Sequence, residues 1–201
     1  YVFDGEDGPY TEDDTPSPIN EYGRQKLECE EIVQTEITNF VIVRTTVVYG
    51  VEARKKNFVA KLIDALSKGD CVRVPSDQYG NPTYVWNVAE ASVELARRRD
   101  TGIFNVVGAT RIDRYGFARE AAREFGLSER LVAPVTTPEL TQRAKRPLNA
   151  GLVTDKAGAV LKTRLLGTAE GLARMREEWE RGHGKASAGS HAEASAVTAA
   201  R

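Results

Sequence analysis

Apolar residues fall in short blocks along the chain, and the spacing inside each block sets the element it predicts. Phe40-Val41-Ile42-Val43 is almost wholly apolar and mostly β-branched. It follows a helical stretch, so it predicts a strand buried on both faces, the mark of a parallel sheet. Cys71–Val74, Ile103–Val107 and Leu131–Val135 predict further short strands. Between them the period lengthens. Phe58, Leu62, Ile63 and Leu66 share one helical face, and Gly69 supplies a stop. Val88–Arg99, Asp113–Phe125 (closed by Gly126) and Leu172–Trp179 also predict helices. From Glu21 to Thr35, Leu27, Ile32 and Val33 sit among charges, which predicts a partly buried helix begun by Pro18 and Asn20. Strands alternating with helices assign the chain to the α/β class.

Tyr1–Gly5 predicts the end of a strand running into a turn, followed by an acidic loop with Glu6, Asp7, Glu12, Asp13 and Asp14. Tyr79-Gly80-Asn81-Pro82 has loop chemistry. Beyond Arg181 the chain is mostly small and polar, with almost no large apolar group. Such a segment cannot offset its ordering entropy. Residues 1–180 are therefore expected to form the folded domain, and 181–201 a disordered tail.

Composition narrows the chemistry. A chain of 201 residues with 41% hydrophobic side chains can bury a core. A net charge of -1 gives no global field to attract nucleic acid or an anionic membrane, so neither is expected as a partner. The apolar run Phe40–Val51 is broken by Arg44 and cannot span a bilayer. With neither an initiator Met nor a secretory signal at Tyr1, the chain is expected to begin inside a longer protein. His183 and His191 both lie in the tail, leaving no histidine for a Ser–His–Asp or Cys–His group in the folded part. Cys29 and Cys71 lack the neighbouring ligands of a zinc site. Two such thiols predict a reducing, cytoplasmic setting and buried structural side chains. No metal site is expected.

The sharpest candidate chemistry is Tyr22-Gly23-Arg24-Gln25-Lys26. Tyr22 and Lys26, four apart on a helix, project from one face. A free phenol ionises near pH 10 and is a sluggish acid or base at neutrality. An adjacent ammonium and a place in the first helical turn both favour the phenolate, which suits acid/base work. By itself the spacing is also that of an ordinary solvated helix.

Context adds to the pair. Tyr1-Val2-Phe3-Asp4-Gly5, Pro16-Ser17-Pro18-Ile19-Asn20-Glu21-Tyr22-Gly23, Val43-Arg44-Thr45-Thr46-Val47-Val48-Tyr49-Gly50, Tyr79-Gly80-Asn81-Pro82-Thr83 and Arg146-Pro147-Leu148-Asn149 follow in order. The series resembles the extended short-chain dehydrogenases/reductases, most closely the dTDP-4-dehydrorhamnose reductases. It is similar as well to the regulatory beta subunit of methionine adenosyltransferase. The resemblance runs from Tyr1 to about Trp179. It implies the C-terminal part of a doubly wound, Rossmann-like parallel sheet plus a small substrate-binding region. It also implies NADP or NAD as cofactor, a nucleotide-sugar substrate, and reduction of the sugar's C4 ketone; a homo-oligomer stays open. Tyr22 would be the proton donor, and Lys26 would assist it and hold the nicotinamide ribose. Val48 falls where the regulatory subunit meets the nicotinamide end, or is simply a buried strand-end valine. Val47 stands where the rhamnose-pathway reductases carry a Trp against the sugar. Arg146 would pair with the diphosphate, since a guanidinium fork suits phosphate; the alternative is a solvated basic patch with Arg143 and Lys145.

Two departures accompany the resemblance. The family's third catalytic group, a Ser or Thr, precedes the Tyr-Val-Phe-Asp-Gly stretch, and its glycine-rich dinucleotide turn lies further upstream still. The portion expected to be missing is roughly 100 residues, one βαβαβ half with its last strand. A non-catalytic regulatory subunit of the same fold and an inactive truncated chain are the alternatives to a reductase.

Overall fold

The computed structural model describes residues 2–182. Helix α1 (Glu21–Glu36) leads into strand β1 (Val41–Arg44) and the short strand β2 (Val48–Tyr49). Helix α2 (Phe58–Ser67) and strand β3 (Val72–Pro75) follow, then the two-residue strands β4 (Tyr79–Gly80) and β5 (Thr83–Tyr84). Next come α3 (Val85–Arg98), β6 (Gly102–Asn105), β7 (Ile112–Asp113) and α4 (Arg114–Glu124). Strand β8 (Val132–Val135), the short helix α5 (Asp155–Val160) and a helix over 168–182 (α6) complete the described residues.

Parallel pairing dominates. Strand β1 pairs with β6, Val41 opposite Gly102 and Arg44 opposite Asn105; β2 pairs with β5, and β3 with β8. Parallel neighbours need a crossover long enough to hold a helix. Here α3 lies between β1 and β6, and α4 between β3 and β8. The pair β4–β7 is antiparallel. The main core packs Leu62, Ile63 and Leu66 of α2 with Phe117, Ala118, Ala121 and Ala122 of α4, closed by Tyr49, Leu172 and Met175. The small alanines of α4 leave room for the larger side chains of α2. A second cluster joins Ala91 and Leu95 of α3 to Phe104, Val106 and Ala157. A third gathers Val2, Phe3, Tyr10, Val107 and Leu152 beneath the acidic loop.

Several expectations change. Val41, Ile42 and Val43 are half-buried rather than buried on both faces, because among the described residues β1 has a strand partner on one side only. Residues 2–5 are irregular, with bends at Phe3 and Gly5, and form no strand, while Tyr1 lies outside the described residues. Cys29 and Cys71 are both exposed, against the expectation of buried thiols: Cys29 lies on the outer face of α1 and Cys71 precedes β3. Residues 181–182 belong to α6, while His183, His191 and the rest of the expected disordered tail lie outside the described residues. Within the described residues no helix is long and apolar enough to cross a membrane.

Candidate active site

The site is built outward from the start of α1. Asn20 sits in extended backbone, and its side-chain oxygen accepts from the Gly23 N–H at 2.8 Å. Such a cap satisfies one of the helix's orphan donors and fixes where the first turn begins. That turn carries Tyr22, 56% exposed, and one turn later the Lys26 ammonium lies 5.7 Å from the Tyr22 ring centroid. The expected shared face is therefore observed. The same Asn20 side chain donates from Nδ2 to the Lys145 carbonyl at 3.0 Å. One residue thus starts the helix and ties the 145–146 segment to it, bringing Arg146 toward Tyr22.

A buried ion pair anchors α1 to the sheet. Arg44, at the end of β1, donates from Nε to Glu30 Oε1 at 3.0 Å and from Nη2 to Oε2 at 2.7 Å. Its guanidinium also lies 5.1 Å from the Phe3 ring centroid, and Phe3 stacks on Tyr10 with centroids 4.3 Å apart. The Tyr10 hydroxyl donates to Asp4 at 2.6 Å and accepts from the Gly5 N–H at 3.0 Å. The Glu6 N–H and the Tyr10 hydroxyl hold the Asp4 carboxyl below its usual range. Burial, followed by the bond to Asp4, pushes the Tyr10 phenol up. The acidic loop is thus fastened by its own first residues.

The opposite wall is the segment after β1. Thr46 Oγ1 donates to the Asn81 carbonyl at 2.8 Å, and Thr83 Oγ1 lies within hydrogen-bond reach of both the Thr46 and Asn81 carbonyls, at 2.9 and 3.0 Å. The Thr83 N–H donates to the Val47 carbonyl at 3.2 Å. Asn81 extends the knot, donating to the Gly108 carbonyl at 3.0 Å and accepting from the Leu152 N–H at 2.9 Å. Gly108 permits this approach, since a Cβ there would sit 2.0 Å from the Pro82 carbonyl oxygen. Inside the knot Val47 has φ 44°. A β-branched residue in the left-handed region is a genuine outlier, costing about 1–3 kcal/mol.

These walls enclose a cleft of about 670 Å³ at the carboxyl end of β1, lined by Tyr22, Lys26, Val47, Val48 and Arg146 among others. All five site residues expected from the sequence therefore face one cavity. Val48 is 39% exposed, which removes the reading of a buried strand-end valine. Arg146 is exposed and lines both this cleft and a side cavity of about 20 Å³. In the sequence Asn20 reads only as a helix start, and Thr46, Asn81 and Thr83 only as members of a resembling series. Their signal was the cap spacing and the conjunction of those stretches; their long-range contacts had none. A phenol, an ammonium and the aliphatic wall of Val43, Val47 and Val48 fit the nicotinamide–ribose end of a dinucleotide.

A cleft outside the carboxyl ends of parallel strands is where open α/β sheets commonly bind ligands, and the sheet that builds it here is Rossmann-like. More narrowly, the chain belongs to the RmlD substrate binding domain family, whose model matches residues 1–180. It is 36% identical over 148 residues to the spore coat polysaccharide biosynthesis protein SpsK of Bacillus subtilis, covering 73% of this chain and 51% of that protein. It is 33% identical over 163 residues to the methionine adenosyltransferase 2 subunit beta of Rattus norvegicus, covering 78% of this chain and 48% of the other. The chain spans about half the length of the curated relatives it matches. Among solved structures, dTDP-4-dehydrorhamnose reductase from Bacillus anthracis str. Ames, in complex with NADP, superposes with a TM-score of 0.83 at 28% identity, covering 88% of this chain and 62% of that one. MoeE5 in complex with UDP-glucose and NAD gives a TM-score of 0.75 at 26% identity, covering 90% and 62%.

Proposed function

We propose that the protein takes part in the NADPH- or NADH-dependent reduction of the C4 ketone of a nucleotide-linked deoxysugar, with Tyr22 as the proton donor. The observation that carries this is the convergence of Tyr22, Lys26, Val47, Val48 and Arg146 on one cleft. The reductase neighbour with NADP and the neighbour with UDP-glucose and NAD support the ligand classes. When bound, the reduced nicotinamide supplies the hydride. Tyr22 donates its hydroxyl proton to the ketone oxygen as negative charge develops there. The Lys26 ammonium stabilises the phenolate left behind and hydrogen-bonds the cofactor ribose. Val48 would border the nicotinamide, Val47 would bound the sugar, and the Arg146 fork would hold the diphosphate.

Tyr22→Phe tests the reading. The ring still packs, so cofactor affinity stays near wild type, while kcat falls by about 10²–10⁴-fold, the range of a positioned acid. Turnover within a few-fold of wild type would assign the proton to another group. The 33% identity to a methionine adenosyltransferase subunit favours a second reading, a binding subunit of the same fold without turnover. Absence of ketone reduction, together with a changed methionine adenosyltransferase rate on mixing, would decide for it.

A further inference from the structure

Val47 stands where two cavities meet. Thr46, Val47, Arg146 and Ala150 line both the main cleft and the side cavity, whose volume of about 20 Å³ suits one water-sized group. With φ at 44°, the Val47 backbone is left-handed, a conformation that an isopropyl side chain opposes. It persists only where surrounding contacts over-determine it. Those contacts are on both sides of the residue. The Val47 carbonyl accepts from the Thr83 N–H, and the Thr46 carbonyl accepts from Thr83 Oγ1 at 2.9 Å. Thr46 Oγ1 in turn bonds the Asn81 backbone, donating to its carbonyl at 2.8 Å and accepting from its N–H at 3.3 Å. Asn81 and Thr83 each also anchor Gly108, whereas among the described residues the Thr46 hydroxyl bonds the Asn81 backbone. Thr46 is therefore the tie that can be cut with least damage elsewhere.

We propose that Thr46 is a positioning residue: with Asn81 and Thr83 it locks Val47 in the left-handed conformation, and Val47 so held is the partition that decides which sugar substituents the cleft accepts. This rests on the reading of the cleft as a nucleotide-sugar site. Released from the clamp, Val47 relaxes toward ordinary extended backbone and its side chain leaves the partition. A glycine at the same position holds the left-handed conformation without help, so the clamp then has nothing to hold.

The test is a cycle of Thr46→Val, Val47→Gly and the double variant, with Thr46→Ser as the variant that keeps the hydroxyl. Dissociation constants for dTDP-glucose and for dTDP are measured by titration calorimetry, and unfolding midpoints alongside. The expected result is that Thr46→Val weakens dTDP-glucose about fivefold or more while dTDP changes less than twofold, and that Thr46→Ser stays near wild type. In the Val47→Gly background, Thr46→Val moves the dTDP-glucose constant less than twofold and the midpoint by less than half its shift in the wild type. Equal losses in the two backgrounds, or equal losses for the two ligands, overturn the proposal. Wild-type protein that binds neither dTDP-glucose nor dTDP overturns the nucleotide-sugar reading itself, and the partition with it.

Discussion

The tether between α1 and β1 offers a quantitative test of how the site is held. Glu30→Gln keeps the shape and some hydrogen bonding but removes the charge facing Arg44. The side chains of Arg44 and Glu30 are only 7% and 10% exposed, and among the described residues Arg44 Nη1 is buried with no hydrogen-bond partner. The guanidinium therefore has little else to compensate it. Breaking a buried pair by removing one partner costs about 3–5 kcal/mol. For a chain of this size 1 kcal/mol shifts Tm by about 2–4 °C, so the expected loss is about 6–20 °C. Calorimetric or circular-dichroism melting reads it directly. The double replacement Glu30→Leu with Arg44→Met should recover most of the loss, because a buried pair is often no better than well-packed apolar side chains. A Glu30→Gln midpoint within about 2 °C of wild type would refute the reasoning. It would mean that water from the adjoining cleft, which both residues line, already solvates the pair.

Asn20→Ala should lower stability by about 0.5–2 kcal/mol through the lost cap, and it should also weaken dTDP-glucose binding by freeing the segment that carries Arg146. Denaturant melts and titration check the two effects separately, and a stability loss with unchanged affinity would disconnect Asn20 from Arg146. Glu94 accepts from the Lys162 and Thr163 N–H groups and the Thr163 hydroxyl, bonds that hold its carboxyl down at about 2 against an ordinary 4.5. The unfolded chain binds the proton more readily, so this share of stability is present above about pH 4.5 and drains away as pH falls toward 2. Glu94→Gln should flatten the unfolding profile in that window, and an unchanged slope there would count against it. Cys29 and Cys71 are both exposed. A thiol reagent without denaturant should therefore titrate both cysteines per native chain, and finding only one would show a buried thiol.

Much of the architecture was legible because its signal is local. The amphipathic face of Phe58, Leu62, Ile63 and Leu66 predicted α2, and the observed helix runs Phe58–Ser67 with Gly69 in positive φ just beyond it. The strands β2, β4, β5 and β7 have no signal of their own in the sequence, since two residues cannot display a period, and Tyr79–Gly80, expected as loop, is strand β4. Their strand character comes from partners far along the chain, such as Thr83 opposite Val48. Helix α5 was missed for another reason. Asp155–Val160 is short and carries Gly158, a weak helix former, and Ala157 is recruited by burial against the cluster that holds Leu95 and Phe104.

The candidate site divides along the same line. The Tyr22–Lys26 spacing is a local fact and could be read as one helical face. Everything that sets the cleft around that face is a contact between distant positions: Asn20 to Lys145, Glu30 to Arg44, Thr46 to Asn81. Side-chain type announces that such residues can bond, but not to which backbone group, because that depends on the packed sheet bringing the partner within 3 Å. Val47 is the sharpest case. A β-branched side chain favours ordinary extended backbone, and only the assembled knot forces φ to 44°. Local preference and tertiary structure conflict at that residue, and such conflicts concentrate where function rather than stability sets the conformation. The conflict falls on the wall shared by the two cavities, not in the α2–α4 core, where no non-glycine residue has a positive φ.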